Sequence, residues 1–103
     1  MPPADTRVTI AADMAGDIVV SDMRCPKNAS GFLTLQANVV NVRTDDRGVE
    51  WKVAWLDSGG VEIDSLASVW NKAMLAPNEI KGLKSTAPSP AAADFRFYVR
   101  RLR

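Results

Sequence analysis

The stretch Val49-Glu-Trp-Lys-Val-Ala-Trp-Leu-Asp-Ser-Gly-Gly-Val-Glu-Ile63 constrains this chain more than any other. Val49, Trp51, Val53 and Trp55 alternate with Glu50, Lys52 and Ala54. An extended backbone therefore puts four apolar side chains on one side, whereas a helix would scatter them around its circumference. The run breaks at Asp57-Ser-Gly-Gly60 and resumes as Val61-Glu-Ile63. Alternation followed by a Gly-rich reversal spells a hairpin with one buried face.

The rest of the chain reads in the same idiom. Residues 17–25 form a strand rich in β-branched residues that Pro26 closes, and residues 27–31 form a turn. Residues 32–43 form the longest strand, with Leu33, Leu35, Ala37 and Val39 alternating against Thr34, Gln36 and Asn38. After Val39 the apolar phase passes to Val40 and Val42, as a β-bulge or burial on both faces would produce. Thr44 to Gly48 is a connection of hairpin length, and a short strand starts at Val61. Residues 65–72 are ambiguous, since Leu66, Val69 and Trp70 sit at helical spacing in a very short segment. Ala76-Pro-Asn-Glu79 is a turn before a strand at 80–84, and the two prolines of 86–93 make a rigid loop. Phe95, Phe97 and Val99 face inward on the last strand.

Residues 1–16 carry little pattern beyond Val8 and Ile10, which suit a short edge strand. The expected organisation is a flexible or weakly ordered segment at 1–16 and a β-domain at 17–103. About seven short strands without a long helical pattern predict an antiparallel β-sandwich, with a small barrel as the rival architecture.

Composition narrows the chemistry. At 103 residues the chain makes one domain with a modest core. Thirteen Lys and Arg against twelve Asp and Glu leave a net charge of +1, too little to recruit nucleic acid. Histidine, the commonest general base and metal ligand, is absent. The single Cys25 allows neither an intramolecular disulfide nor a Cys-cluster zinc site. No cofactor or metal is expected. No apolar run approaches the roughly 18 residues of a membrane helix. Met1 to Arg7 lacks the apolar core of an export signal, so the protein is cytosolic or the chain starts after a removed signal.

Each candidate site has a plainer alternative. Trp51, Trp55 and Trp70 suit an aromatic platform, but the phase that Trp51 and Trp55 share with Val49 and Val53 favours the core. Trp70 is the aromatic most open to a binding role. Asp45, Asp46 and Asp57 sit in turns, where short carboxylates cap backbone N–H groups. Glu62 and Asp64 read as a solvated face. Cys25 lies near Arg24 and Lys27, which favour a thiolate, yet no histidine is present to serve as its base. Arg96, Arg100, Arg101 and Arg103 concentrate positive charge in the last strand with no acid among them. They form either a patch for an anionic surface or a charged edge that resists aggregation.

Several elements together resemble the YcfL-like family of small bacterial envelope proteins. They are Val40-Asn-Val, the run from Trp55 to Ile63, Trp70, Leu75-Ala-Pro-Asn-Glu, Thr86-Ala-Pro-Ser-Pro and Phe95-Arg-Phe-Tyr-Val-Arg, in that order across roughly residues 32–101. The resemblance implies an immunoglobulin-like sandwich, export through the inner membrane and often an N-terminal lipid anchor, which would give peripheral membrane association. It implies no established activity. Cys25 cannot be the acylated cysteine, because a strand rather than an apolar export helix precedes it. The expected function is a non-enzymatic periplasmic or outer-membrane-associated domain that binds a protein or a cell-wall component. The alternative is a cytosolic structural subunit of a complex.

Overall fold

Alternating polarity resolves into seven strands in the computed structural model, which describes residues 7–63 and 69–102. They are β1 (Val8–Ile10), β2 (Ile18–Arg24), β3 (Thr34–Asn41), β4 (Arg47–Leu56), β5 (Asn71–Leu75), β6 (Ile80–Thr86) and β7 (Asp94–Arg101). One sheet has the order β1-β7-β4-β5 and the other β2-β3-β6. Every pairing is antiparallel except β1 with β7. Two separate sheets with free edges make a sandwich rather than a closed barrel. The four-plus-three layout is immunoglobulin-like, with a strand order of its own.

The core lies between the sheets. Trp55, Phe97, Val39 and Val49 are fully buried, joined by Leu35, Val53, Phe95 and Val99. Trp55 meets Phe95 edge-on at 6.1 Å between centroids, a favoured aromatic geometry. Among the described residues its indole N–H has no hydrogen-bond partner. Trp51 is tilted against Phe97 at 6.2 Å and only half-buried. Its inward neighbours on β5, Asn71 and Ala73, are too small to cover an indole.

The strand expected to be longest, β3, has eight residues against ten in β4, and its slip of apolar phase is not a bulge. Leu35, Ala37, Val39 and Asn41 all face inward in unbroken alternation, while Val42 is exposed. The inward position at 41 is polar, which mimics a phase change in the sequence. The irregularity belongs to the partner strand, between Val20 and Asp22 of β2.

Asn41 is completely buried and fully bonded. Its Nδ2 donates to the carbonyls of Asp45 (2.9 Å), Leu75 (3.2 Å) and Ala76 (3.1 Å), and its Oδ1 accepts from the Arg43 N–H at 2.9 Å. Its own backbone N–H donates to the Glu79 carbonyl at 3.0 Å. Two crossings between sheets, β3 to β4 and β5 to β6, are thereby clasped together. The second is a tight turn with Asn78 at φ 61°, where the Glu79 carboxylate accepts from the Ala76 N–H at 2.7 Å.

The sandwich starts earlier than residue 17. β1 runs parallel to β7 from Val8↔Phe97 to Ile10↔Val99, and the 3-10 turn Ala12–Met14 buries Met14. A three-residue strand and a single turn bury too few side chains to leave a periodic trace. The return arm at Val61 is a single bridge, Leu56↔Glu62, rather than a strand. Gly60 at φ 81° makes the reversal, and Asp57 Oδ1 accepts from the N–H groups of Gly59 and Val61. Of the segment with helical spacing, residues 65–68 lie outside the described residues, and Asn71 opens β5.

Trp55→Ala removes the largest fully buried side chain. The expected loss is about 3–5 kcal/mol in denaturant unfolding. A midpoint within error of the parent would contradict this packing.

Candidate functional site: the outer face of the four-stranded sheet

With Val49, Val53 and Trp55 turned inward, Glu50, Lys52 and Ala54 of β4 face out. On β7 the inward set of Phe95, Phe97 and Val99 leaves Arg96, Tyr98 and Arg100 outside. The β4–β7 register then writes the outer rows: Glu50↔Arg100, Lys52↔Tyr98 and Ala54↔Arg96. β5 adds Lys72 opposite Glu50, and one step beyond its first pair, Asn71↔Trp51, stands Trp70 beside Lys52.

These rows bring Trp70 and Arg100 into contact. The Arg100 guanidinium lies 3.7 Å from the Trp70 ring centroid, while its Nε donates to Glu50 Oε1 at 3.0 Å. The Glu50 side chain is only 9% exposed, so the carboxylate is covered and needs its partner. Carboxylate, guanidinium and indole are thus stacked in a fixed order. Lys52 Nζ sits 5.0 Å from the Trp70 centroid and 5.4 Å from that of Tyr98, within cation–π reach of both. Arg96 is looser, 3.6 Å from Asp94. Among the described residues four cations (Lys52, Lys72, Arg96, Arg100) share this face with three carboxylates (Glu50, Asp94 and Glu62, which pairs with Leu56), a local charge of +1.

The four tail arginines do not form one patch. Arg96 and Arg100 share the outer face with Trp70. Arg101 pairs in register with Val49 and has the opposite phase. It borders a shallow cleft of about 220 Å³ at the end of the sandwich, beside Arg47, Asp46 and the buried Met14. Arg103 lies outside the described residues. Lys52, Tyr98 and Glu50 complete the face. Their outward phase is legible in each strand alone, but the β4–β7 register that makes them neighbours is not.

The other candidates are accounted for by local structure. Asp57 caps its own turn, and Asp45 pairs with Arg47 at 2.8 Å. Glu62 is exposed, and Asp64 lies outside the described residues. Cys25 is half-buried, and burial pushes its thiol pKa up against the opposing charge of Arg7. Arg24 pairs with Asp22 at 3.7 Å. A thiol held protonated is a poor nucleophile.

Asp17 is a charged centre that sequence reading missed. Arg43 Nε donates to its Oδ1 at 2.6 Å, and Arg47 Nε approaches Oδ2 at 3.4 Å. The Arg43 hydrogen bond, opposed by desolvation, lowers its pKa below the ordinary 3.8 of an aspartate. A carboxylate whose pKa falls on folding stabilises fully above its unfolded value and loses that contribution as pH drops through the folded one. Asp17→Asn should therefore be less stable than the parent at neutral pH, with the gap closing below pH 3.8. A gap independent of pH in thermal melts would contradict the pairing.

Comparison with known proteins places this geometry in a family. A crystal structure of a DUF1425 family member from Shewanella sp. pv-4 superimposes with a TM-score of 0.76 at 21% identity, covering 84% of this chain and 79% of that one. The crystal structure of Campylobacter jejuni cj0090 gives a TM-score of 0.76 at 22% identity, covering 95% of this chain and 100% of that one. Both likenesses are likenesses of fold. No curated protein matches. The family model described as "Protein of unknown function (DUF1425)" matches residues 5–101, and the chain belongs to that family.

Proposed function

We propose that this chain is a non-enzymatic binding domain of the bacterial cell envelope that docks on an anionic surface through the outer face of its four-stranded sheet. The observation that carries the reading is the stack of Glu50, Arg100 and Trp70 with Lys52 beside it. Cations already held against rings and a carboxylate have lost most of their rotamer freedom, so little further ordering opposes binding. Lys72 and Arg96 flank the stack, and among the described residues the face carries four cations against three carboxylates. Phosphate or carboxylate groups presented on a plane suit such a face. Near a charged membrane each exposed cation contributes roughly 1 kcal/mol, and the attraction is screened beyond about 8 Å at physiological salt.

The envelope location rests on the YcfL-like resemblance. The elements that carry it are structural here: Val40-Asn-Val and Leu75-Ala-Pro-Asn-Glu meet at the Asn41 clasp, and the run from Trp55 to Ile63 is the capped reversal. Fractionating cells that express the native gene would separate an envelope domain from a cytosolic subunit.

Binding is tested by cosedimentation with anionic liposomes and with purified cell wall. Charge reversal belongs at Arg96→Glu with Lys72→Glu, because replacing Arg100 would strand the covered Glu50. The parent should sediment at low salt, and the variant should lose most of that recovery. Equal, salt-independent recovery of both proteins with both surfaces would overturn the proposal.

A further inference from the structure

We propose that β6 is a docking edge for an extended segment of a partner protein, which adds to the three-stranded sheet as a fourth strand. The segment would present an acidic, an aromatic and an aliphatic residue at alternate positions. This surface belongs to the sheet opposite the cationic face and is independent of it.

The sandwich has four edge strands, and three are poor templates. β1 has three residues, and β2 is bent by the irregularity between Val20 and Asp22. β5 has five residues, and the Met74 carbonyl already accepts from Lys81 Nζ at 2.8 Å. β6 keeps unbroken register with β3 over seven residues, from Thr34↔Thr86 to Val40↔Ile80. Among the described residues no backbone hydrogen bond reaches its other side. A straight, unpaired edge of this length is a ready template for another strand.

Gly82, in the middle of β6, supplies an independent sign. Glycine weakens a strand interior, so it needs a reason to be there. Its φ is not in the left-handed region, and a Cβ would meet only Asn38 Oδ1, at 3.4 Å. Neither conformation nor crowding among the described residues requires it. An interior glycine suits close approach by another backbone, and an aromatic residue across from an edge glycine covers the bare peptide.

The rows of the outer face specify the rest of the partner. Val19–Val40–Ile80 is an aliphatic row that ends in open solvent at Ile80, 64% exposed. Asp22–Asn38–Gly82 and Arg24–Gln36–Lys84 follow. β6 carries two lysines and no acid. A strand antiparallel to β6 continues these rows with a glutamate beside Lys84, an aromatic beside Gly82 and a β-branched residue beside Ile80.

The test titrates isotope-labelled protein with the capped peptide Thr-Glu-Thr-Tyr-Thr-Val-Thr to millimolar concentration while following backbone amide shifts. The expected result is saturable shifts concentrated in β6 and β3. They should be lost when proline replaces the tyrosine and weakened at least tenfold when lysine replaces the glutamate. Gly82→Val blocks the aromatic seat with a good strand former, so its thermal midpoint should equal or exceed the parent's while peptide affinity falls at least tenfold. Cosedimentation with liposomes or cell wall should be unchanged in that variant, which separates this proposal from the cationic face. Absence of saturable shifts, shifts centred elsewhere, or undiminished affinity of Gly82→Val would overturn it.

Discussion

The buried amide of Asn41 joins two connections that carry the chain between sheets at one end of the sandwich, β3 to β4 and β5 to β6. Its side chain donates to carbonyls on both sides of the gap, and its backbone N–H closes on Glu79. A buried amide left unbonded is costly, so the structure is held to the one arrangement that satisfies it. That arrangement fixes where β5 leaves and where β6 begins. Asp17 adds a second tie nearby, bonding Arg43 and Arg47 while its backbone carbonyl accepts from the Val42 N–H.

β4 divides the labour. Its inward residues supply Val49, Val53 and Trp55 to the core, and its outward residues seat a charge stack. Glu50 shows the coupling: a carboxylate so nearly covered would be unstable without Arg100, and the pair is covered in turn by Trp70. The cationic face is therefore part of the folded structure and not a loose fringe of side chains. Preorganisation of that kind favours binding, and it also explains why reversing Arg100 would confuse loss of binding with loss of fold.

Much of the fold was legible in the sequence because period-two alternation survives wherever one sheet face is buried. The β4 pattern, the Asp57–Gly60 reversal, the Ala76–Glu79 turn and the inward set of β7 all follow from local rules. β1 and Met14 were not legible, since three residues and one turn leave no periodicity. Asn41 misled, because a polar residue at an inward position looks like a change of phase. The candidate site was half legible. Trp70, Arg96 and Arg100 stood out by type, but their assembly with Glu50, Lys52 and Tyr98 depends on pairing between strands some fifty residues apart, as in Arg100 with Glu50. Arg101 fell to the other side for the same reason: a neighbour in sequence has opposite phase in a strand.

The clasp is tested most directly by Asn41→Asp, which changes almost no volume but replaces a donor with an oxygen facing three carbonyls. Urea unfolding should show a loss of about 3 kcal/mol or more at neutral pH, the scale for a buried charge set against unsatisfied acceptors. The loss should shrink on acidification, because a protonated carboxyl can donate one hydrogen bond again. Its pKa would be raised on folding, so the penalty grows as pH climbs past the unfolded value. Stability equal to the parent's across that range would contradict the account and place the control of this end of the sandwich elsewhere.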